Sequence, residues 1–148
     1  MQVFIKTISI TAPPPKVMAV FGNEDLWLVG TSTTKNAETG QVVGTVHEFI
    51  RLLMGLFIKM TGQVESYIFD NDGCSTRISY QGDASGYMQC DFVFKANGVD
   101  LTLEHGFSLD EKWMKVVSGK FINEEILTKM IAKADADSLE NIKLICES

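Results

Sequence analysis

A chain of 148 residues with 45% hydrophobic side chains and a formal net charge of −6 is long enough to bury roughly two-thirds of its unfolded surface, so one domain spanning residues 1–148 is expected. Its 13 Lys and Arg stand against 19 Asp and Glu and form no cluster, which argues against nucleic acid and against anionic membrane surfaces as partners. No apolar stretch approaches the ~20 residues of a spanning helix. Cys74, Cys90 and Cys146 are an odd number at wide spacing, which fits neither a disulfide framework nor a zinc ribbon and points to a reducing cytoplasm.

Met1 to Ile10 alternates instead of running apolar, so it reads as a strand rather than a signal peptide. The β-branched run Val3, Ile5, Ile8 and Ile10 stops at Ala12-Pro13-Pro14-Pro15, where missing amide protons prevent further pairing. Pro14 or Pro15 can start a short helix carrying Val17, Met18, Val20 and Phe21 up to Gly22. Asn23 can cap a second short helix, Glu24 to Val29, closed by Gly30. Strands follow over Thr31–Thr34, Val42–Leu53 and Leu56–Phe69, the second ending at Met54-Gly55. Asp70-Asn71-Asp72-Gly73 is a hairpin turn by composition. Cys74–Asp83 returns, Ala84-Ser85-Gly86 breaks the pattern, and Tyr87–Ala96 and Val99–Leu109 flank Asn97-Gly98, the strongest hairpin signal in the chain. Asp110 can cap a short helical turn through Trp113 and Val117 to Gly119. Asn123, with Glu124 and Glu125, opens a final helix running to Glu147.

Alternation places Ile78, Tyr80, Met88, Cys90, Phe92, Phe94, Leu101, Leu103, His105 and Phe107 on a dry face. Arg77, Gln81, Gln89, Asp91, Lys95, Asp100, Thr102 and Glu104 fall on a wet one. In Leu56–Phe69 the division is not clean. Ile58, Met60, Val64 and Ile68 share one side, while Phe57, Tyr67 and Phe69 occupy the other. The two faces of the strand holding His47 do not separate at all. On the last helix Leu127, Met130, Ile131, Ala134, Ser138, Ile142 and Ile145 form one apolar stripe, flanked by Ile126 and Leu139. A helix of about 25 residues is about 37 Å long, enough to cross a sheet.

The segment Ile10-Thr11-Ala12-Pro13-Pro14-Pro15-Lys16-Val17-Met18 resembles the opening of the START and SRPBCC superfamily, the helix-grip proteins that include the major birch pollen allergen and polyketide cyclases. Leu53-Met54-Gly55-Leu56-Phe57-Ile58-Lys59-Met60-Thr61-Gly62 and Gly82-Asp83-Ala84-Ser85-Gly86 are similar to the glycine pattern of the G-type accessory proteins of carbon monoxide dehydrogenase. Met18 departs from the Trp common there, and Val29-Gly30 from Pro-Gly. The helix ends at Ser148 without the extension linked to membrane attachment, so a membrane-recruiting role is not expected. The resemblance implies an α+β helix-grip fold. A curved antiparallel sheet of about seven strands wraps around the long C-terminal helix, two short helices follow strand one, and a cavity lies between sheet and helix.

The expected cavity lining is Met60, Tyr80, Met88, Cys90, Phe92, His105 and Phe107 from the sheet, with Trp113, Met130 and Ala134 from the helical side. Methionines and aromatics adapt to irregular apolar ligands. The competing reading is that they only fill the core. His105 stands out as an imidazole on the dry face, able to meet a ligand or to be satisfied by backbone or Tyr80. No catalytic residue is assigned. His47, His105 and the cysteines lack metal-ligand spacing, Asp70-Asn71-Asp72-Gly73 lacks the rest of a calcium loop, and no phosphate loop or nucleophile elbow is visible, so no metal and no cofactor is expected. Cys90 has no cationic neighbour and reads as an inert buried thiol. Asp83, Asp91, Glu65 and Glu104 read as solvated surface charge.

Three functions remain open. The first is binding of a small hydrophobic or amphipathic molecule, a lipid or an aromatic, polyketide-like compound. The second is a cyclase or dehydratase working through His105 or Tyr80. The third is an accessory protein docking on an enzyme, as a homodimer or otherwise, through an apolar patch of Phe57, Tyr67 and Phe69.

Overall fold

The computed structural model describes residues 1–28, 31–35, 43–44, 46–53, 55–119 and 122–148, with the backbone alone at 25, 31–35 and 53. Val29, Gly30, Val42 and Met54, which bound three expected elements, lie outside the described residues.

Strand β1 (Gln2–Ile10) leads into α1 (Pro14–Phe21), whose first turn is two prolines with no amide hydrogen to leave unsatisfied. The second expected helix is only a 3₁₀ turn, Glu24–Leu26, and Asn23 makes no side-chain cap to it. Trp27 anchors the turn instead, its Nε1 donating to the Phe21 carbonyl at 3.1 Å. Strands β2 (Thr31–Lys35), β3 (Val46–Leu53), β4 (Leu56–Phe69), β5 (Gly73–Gly82), β6 (Ala84–Lys95) and β7 (Gly98–Leu109) follow. Two helices close the chain, α2 (Glu111–Ser118) and α3 (Glu124–Glu147). Asp110 and Asn123 cap them, accepting from the amides of Trp113 and Ile126 at 2.9 Å each.

The seven strands form one curved antiparallel sheet in the order β1-β7-β6-β5-β4-β3-β2. Adjacency of the first and seventh strands follows from the proline break, which turns the chain away so that β2 starts the far edge. β6 begins at Ala84, earlier than the expected break at Ala84-Ser85-Gly86, because a single residue, Asp83, connects it to β5. Asp83 fixes that tight corner: its carboxylate accepts from the Lys59 amide at 2.9 Å and its carbonyl from the Asp110 amide at 3.0 Å.

The mixed faces of β4 have a simple cause. The β4–β5 register shifts between Val64 and Ser66, and one extra residue in a strand exchanges the sides of everything beyond it. Ile58, Met60 and Val64 face inward before the bulge; after it Tyr67 takes the inner side, Phe69 shares that side at the open end of the strand, 55% exposed and meeting Phe94 at 5.6 Å, and Ile68 is turned out at 64% exposure. Phe57 points outward, so the expected patch of Phe57, Tyr67 and Phe69 is divided between the two faces of the sheet.

The inner face carries two core clusters. The first joins α1 and the C-terminal half of α3 to the sheet, through Val17, Phe21, Phe92, Leu101, Leu103, Leu139, Ile142 and Cys146. The second joins α2 and the N-terminal half of α3, through Ile58, Tyr80, Phe107, Val117, Leu127 and Ile131. Ile145, expected in the buried stripe of α3, is half-buried, and Asp135, which lies between Ile131 and Leu139, is in that stripe instead.

Candidate functional site

The seam between the two clusters holds a cavity of about 60 Å³. Its walls take Phe21, Trp27 and Cys90 from the first cluster and Met60, Tyr80 and Phe107 from the second, with Phe49, Ile78, Met88 and His105 beside them. Thr76, Arg51 and Glu24, with Tyr80 and His105, add polar atoms to a lining that is otherwise apolar. Six of the residues expected from the sequence therefore meet here: Met60, Tyr80, Met88, Cys90, His105 and Phe107. They come from four adjacent strands, and alternation turns all six to the inner face.

The other four lie elsewhere. Phe92 is consumed in the first cluster, edge-on to Phe21 at 4.7 Å. Trp113 and Met130 pack on the second cluster, and Ala134 is half-buried outside the described lining. The helical wall is supplied by α1 and the 3₁₀ turn, through Phe21, Glu24, Trp27 and Leu28. The cavity thus lies between the sheet and that short N-terminal segment, and α3 stands behind it. A second space of about 50 Å³ lies between β1 and α3, with His105 and Phe107 in its wall as well.

One corner of the cavity is a buried chain of polar groups. Tyr80 Oη donates to the Gly106 carbonyl at 2.8 Å and lies 2.7 Å from His105 Nε2. His105 Nδ1 lies 2.6 Å from Asp135 Oδ2, and Asp135 Oδ1 lies 3.5 Å from an Arg51 guanidinium nitrogen. A tyrosine has one hydroxyl hydrogen. With that hydrogen on Gly106, the Tyr80 oxygen is an acceptor toward Nε2, and Nδ1 faces the Asp135 carboxylate. His105 is held further by Phe107, edge-on at 5.8 Å.

Burial pushes the Tyr80 hydroxyl far above the ordinary tyrosine range, with Arg51 opposing and Asp135 adding to the shift. Burial likewise raises the Cys90 thiol, helped by Asp91 and Asp135, so at neutral pH it is a protonated apolar wall, as its lack of a cationic neighbour implied. Gly86 makes the corner possible. It has φ +154°, and a Cβ there would overlap the Gly106 carbonyl and come within 3.0 Å of Tyr80 Oη. Gly62 is as tight on the other side, since a Cβ would stand 2.5 Å from the Phe49 ring.

Arg51 and Asp135 were missed in the sequence for different reasons. In β3 the more apolar set, Ile50 and Leu52, is the exposed one, at 39% and 51%, while His47, Phe49 and Arg51 face inward opposite Gly62, Met60 and Ile58. The missed signal for Asp135 was spacing: it stands four residues from both Ile131 and Leu139, hence on the buried side of α3. Among the described residues, no group of three or more His, Cys, Asp or Glu is arranged to hold a metal ion. Among them, too, no helix is long and apolar enough to cross a membrane.

No family model and no curated protein sequence matches this chain. Solved structures do. Protein CV1439 from Chromobacterium violaceum is 15% identical with a TM-score of 0.66 over 100% of this chain and 99% of that one. Ara h 8.0201 is 13% identical with a TM-score of 0.63 over 97% and 96%. The di-domain ARO/CYC StfQ from the steffimycin biosynthetic pathway is 9% identical with a TM-score of 0.69, matching 98% of this chain and 50% of that one. The fold is the helix-grip fold. At these identities the likeness shows the fold alone, and the site must be argued from its own residues.

Proposed function

We propose that this helix-grip protein binds a small hydrophobic or amphipathic molecule in the seam cavity. The observation that carries the reading is the cavity itself. Protein interiors are close-packed by default, yet here about 60 Å³ is left among apolar side chains, where a single water needs only ~10–15 Å³. An apolar guest gains roughly 25 cal/mol for each Å² it removes from water. The room suits an aromatic ring or a short branched chain better than a long acyl chain. The likeness in fold to Ara h 8.0201 and to ARO/CYC proteins of biosynthetic pathways is in keeping with this reading. The reading takes residues 1–148 as one domain acting in the cytoplasm.

Native mass spectrometry tests this. The purified protein should carry, or take up, an apolar compound released on denaturation. Ile78→Trp, which fills the cavity, should keep the fold by circular dichroism and lose the compound. A protein with no adduct that also refuses small aromatic rings would overturn the reading.

The hydrogen-bonded chain Asp135–His105–Tyr80 favours a second reading, a cyclase or dehydratase in which His105 handles a proton of the guest. Incubating the recovered compound with wild type and with His105→Gln separates the two. Loss of one water's mass with wild type alone supports catalysis, and unchanged mass with both supports binding only.

A further inference from the structure

Arg51 is a buried cation with little to hold. Its side chain is 9% exposed and lines the cavity, and among the described residues its one polar side-chain partner is Asp135, at 3.5 Å. That distance is the far limit of a hydrogen bond. A guanidinium carries five N–H donors in a planar fork shaped for paired oxygens, and a buried charge left so nearly alone is costly.

Asp135 does not fill the need, because its short contact of 2.6 Å goes to His105. Only the 3.5 Å contact from Asp135 is left for Arg51. Glu24, the other carboxylate in the wall, is itself engaged. The remaining titratable groups of the wall, Tyr80 and Cys90, are held in their neutral forms by burial. Among the described residues no further side-chain oxygen is set on the Arg51 fork, and a guest in the cavity can supply one. We propose that the guest is an anion, a carboxylate on an apolar body, with its head on the Arg51 guanidinium and its body against Phe49, Met60, Ile78 and Met88. The assignment rests on the ligand-binding reading above and narrows it to one chemical class.

Benzoate and benzamide have nearly the same shape and differ in charge, so calorimetric or NMR titration with this pair at neutral pH tests the assignment. Wild type should prefer benzoate by at least about tenfold, the worth of a charge-assisted fork. Arg51→Met should bring benzoate down to the level of benzamide and leave benzamide within about threefold of its wild-type affinity. Equal affinities in wild type, or a preference that survives in Arg51→Met, would sink the anion anchor and leave the cavity reading standing. Failure of wild type to bind either compound would sink both. If Arg51→Met does not fold, Arg51→Lys decides, since it keeps the charge without the fork. A preference reduced by about threefold or more then supports the assignment, and an unchanged preference overturns it.

Discussion

The first core cluster and the seam beside it use the same sheet and the same helix to opposite ends. Around Val17, Leu101, Leu103, Leu139 and Ile142 the layers meet through aliphatic side chains that are all but inaccessible. One turn earlier on α3, Asp135 replaces the aliphatic side chain, reaches His105 and Arg51, and the neighbouring space is left open. Aliphatic contacts are many, weak and adjustable, so they close up. Ionic hydrogen bonds are few and directional and hold their partners at set positions. The lesson of the comparison is that a cavity survives in this core where polar groups brace its walls.

Removing the brace should have the largest effect. Asp135→Ala leaves Arg51 and His105 without their buried carboxylate, and urea denaturation should show a loss of about 3–5 kcal/mol. A loss below ~1 kcal/mol would mean that the polar corner does not hold the seam. The contrast between regions can be measured directly by truncating one side chain in each. Leu139→Ala in the closed cluster should cost about 2–5 kcal/mol, whereas Met88→Ala, which borders existing empty space and gives up fewer contacts, should cost less than about 2 kcal/mol. Equal costs would show that the seam is packed as tightly as the cluster.

The smallest effect lies outside both regions and checks that the larger ones are specific to the interior. The Lys59 amide, chiefly, holds Asp83 below the usual carboxylate range against an opposing desolvation, with lesser help from the nearby Trp113, Lys112 and Lys59 side chains. A carboxylate with a lowered folded pKa contributes stability above its unfolded value, and that contribution is lost as pH falls through the folded one. Asp83→Asn should therefore lower stability slightly near neutral pH and flatten the acid limb of the stability profile, leaving guest binding unchanged. Because the group is largely exposed, solvent screening keeps the effect small.

Much of this arrangement was legible before any coordinates. The proline run after Ile10, the Asn97-Gly98 turn, and the caps at Asp110 and Asn123 each act within a few residues, and local chemistry decided them. Strict alternation in β5, β6 and β7 turned Tyr80, Met88, Cys90, His105 and Phe107 to one face, which is half of what the sheet contributes to the cavity wall. Those strands are half-wet and half-dry along their length, so the pattern has one solution.

Elsewhere the pattern had two solutions, and only tertiary contacts chose between them. The β4 bulge exchanged the sides of Ile68 and Phe69, and pairing with β4 turned Arg51 inward although Leu52 is the more apolar neighbour. Asp135 looked like one more charge on an amphipathic helix. It became a site residue because His105 and Arg51, distant in sequence, were brought against it. Sequence alone determined the order of elements and the dry face of the central sheet, since both follow from interactions between near neighbours and from burial. Where that face closes and where it stays open was decided in three dimensions, because it depends on charges meeting across strands and helix that no local pattern links.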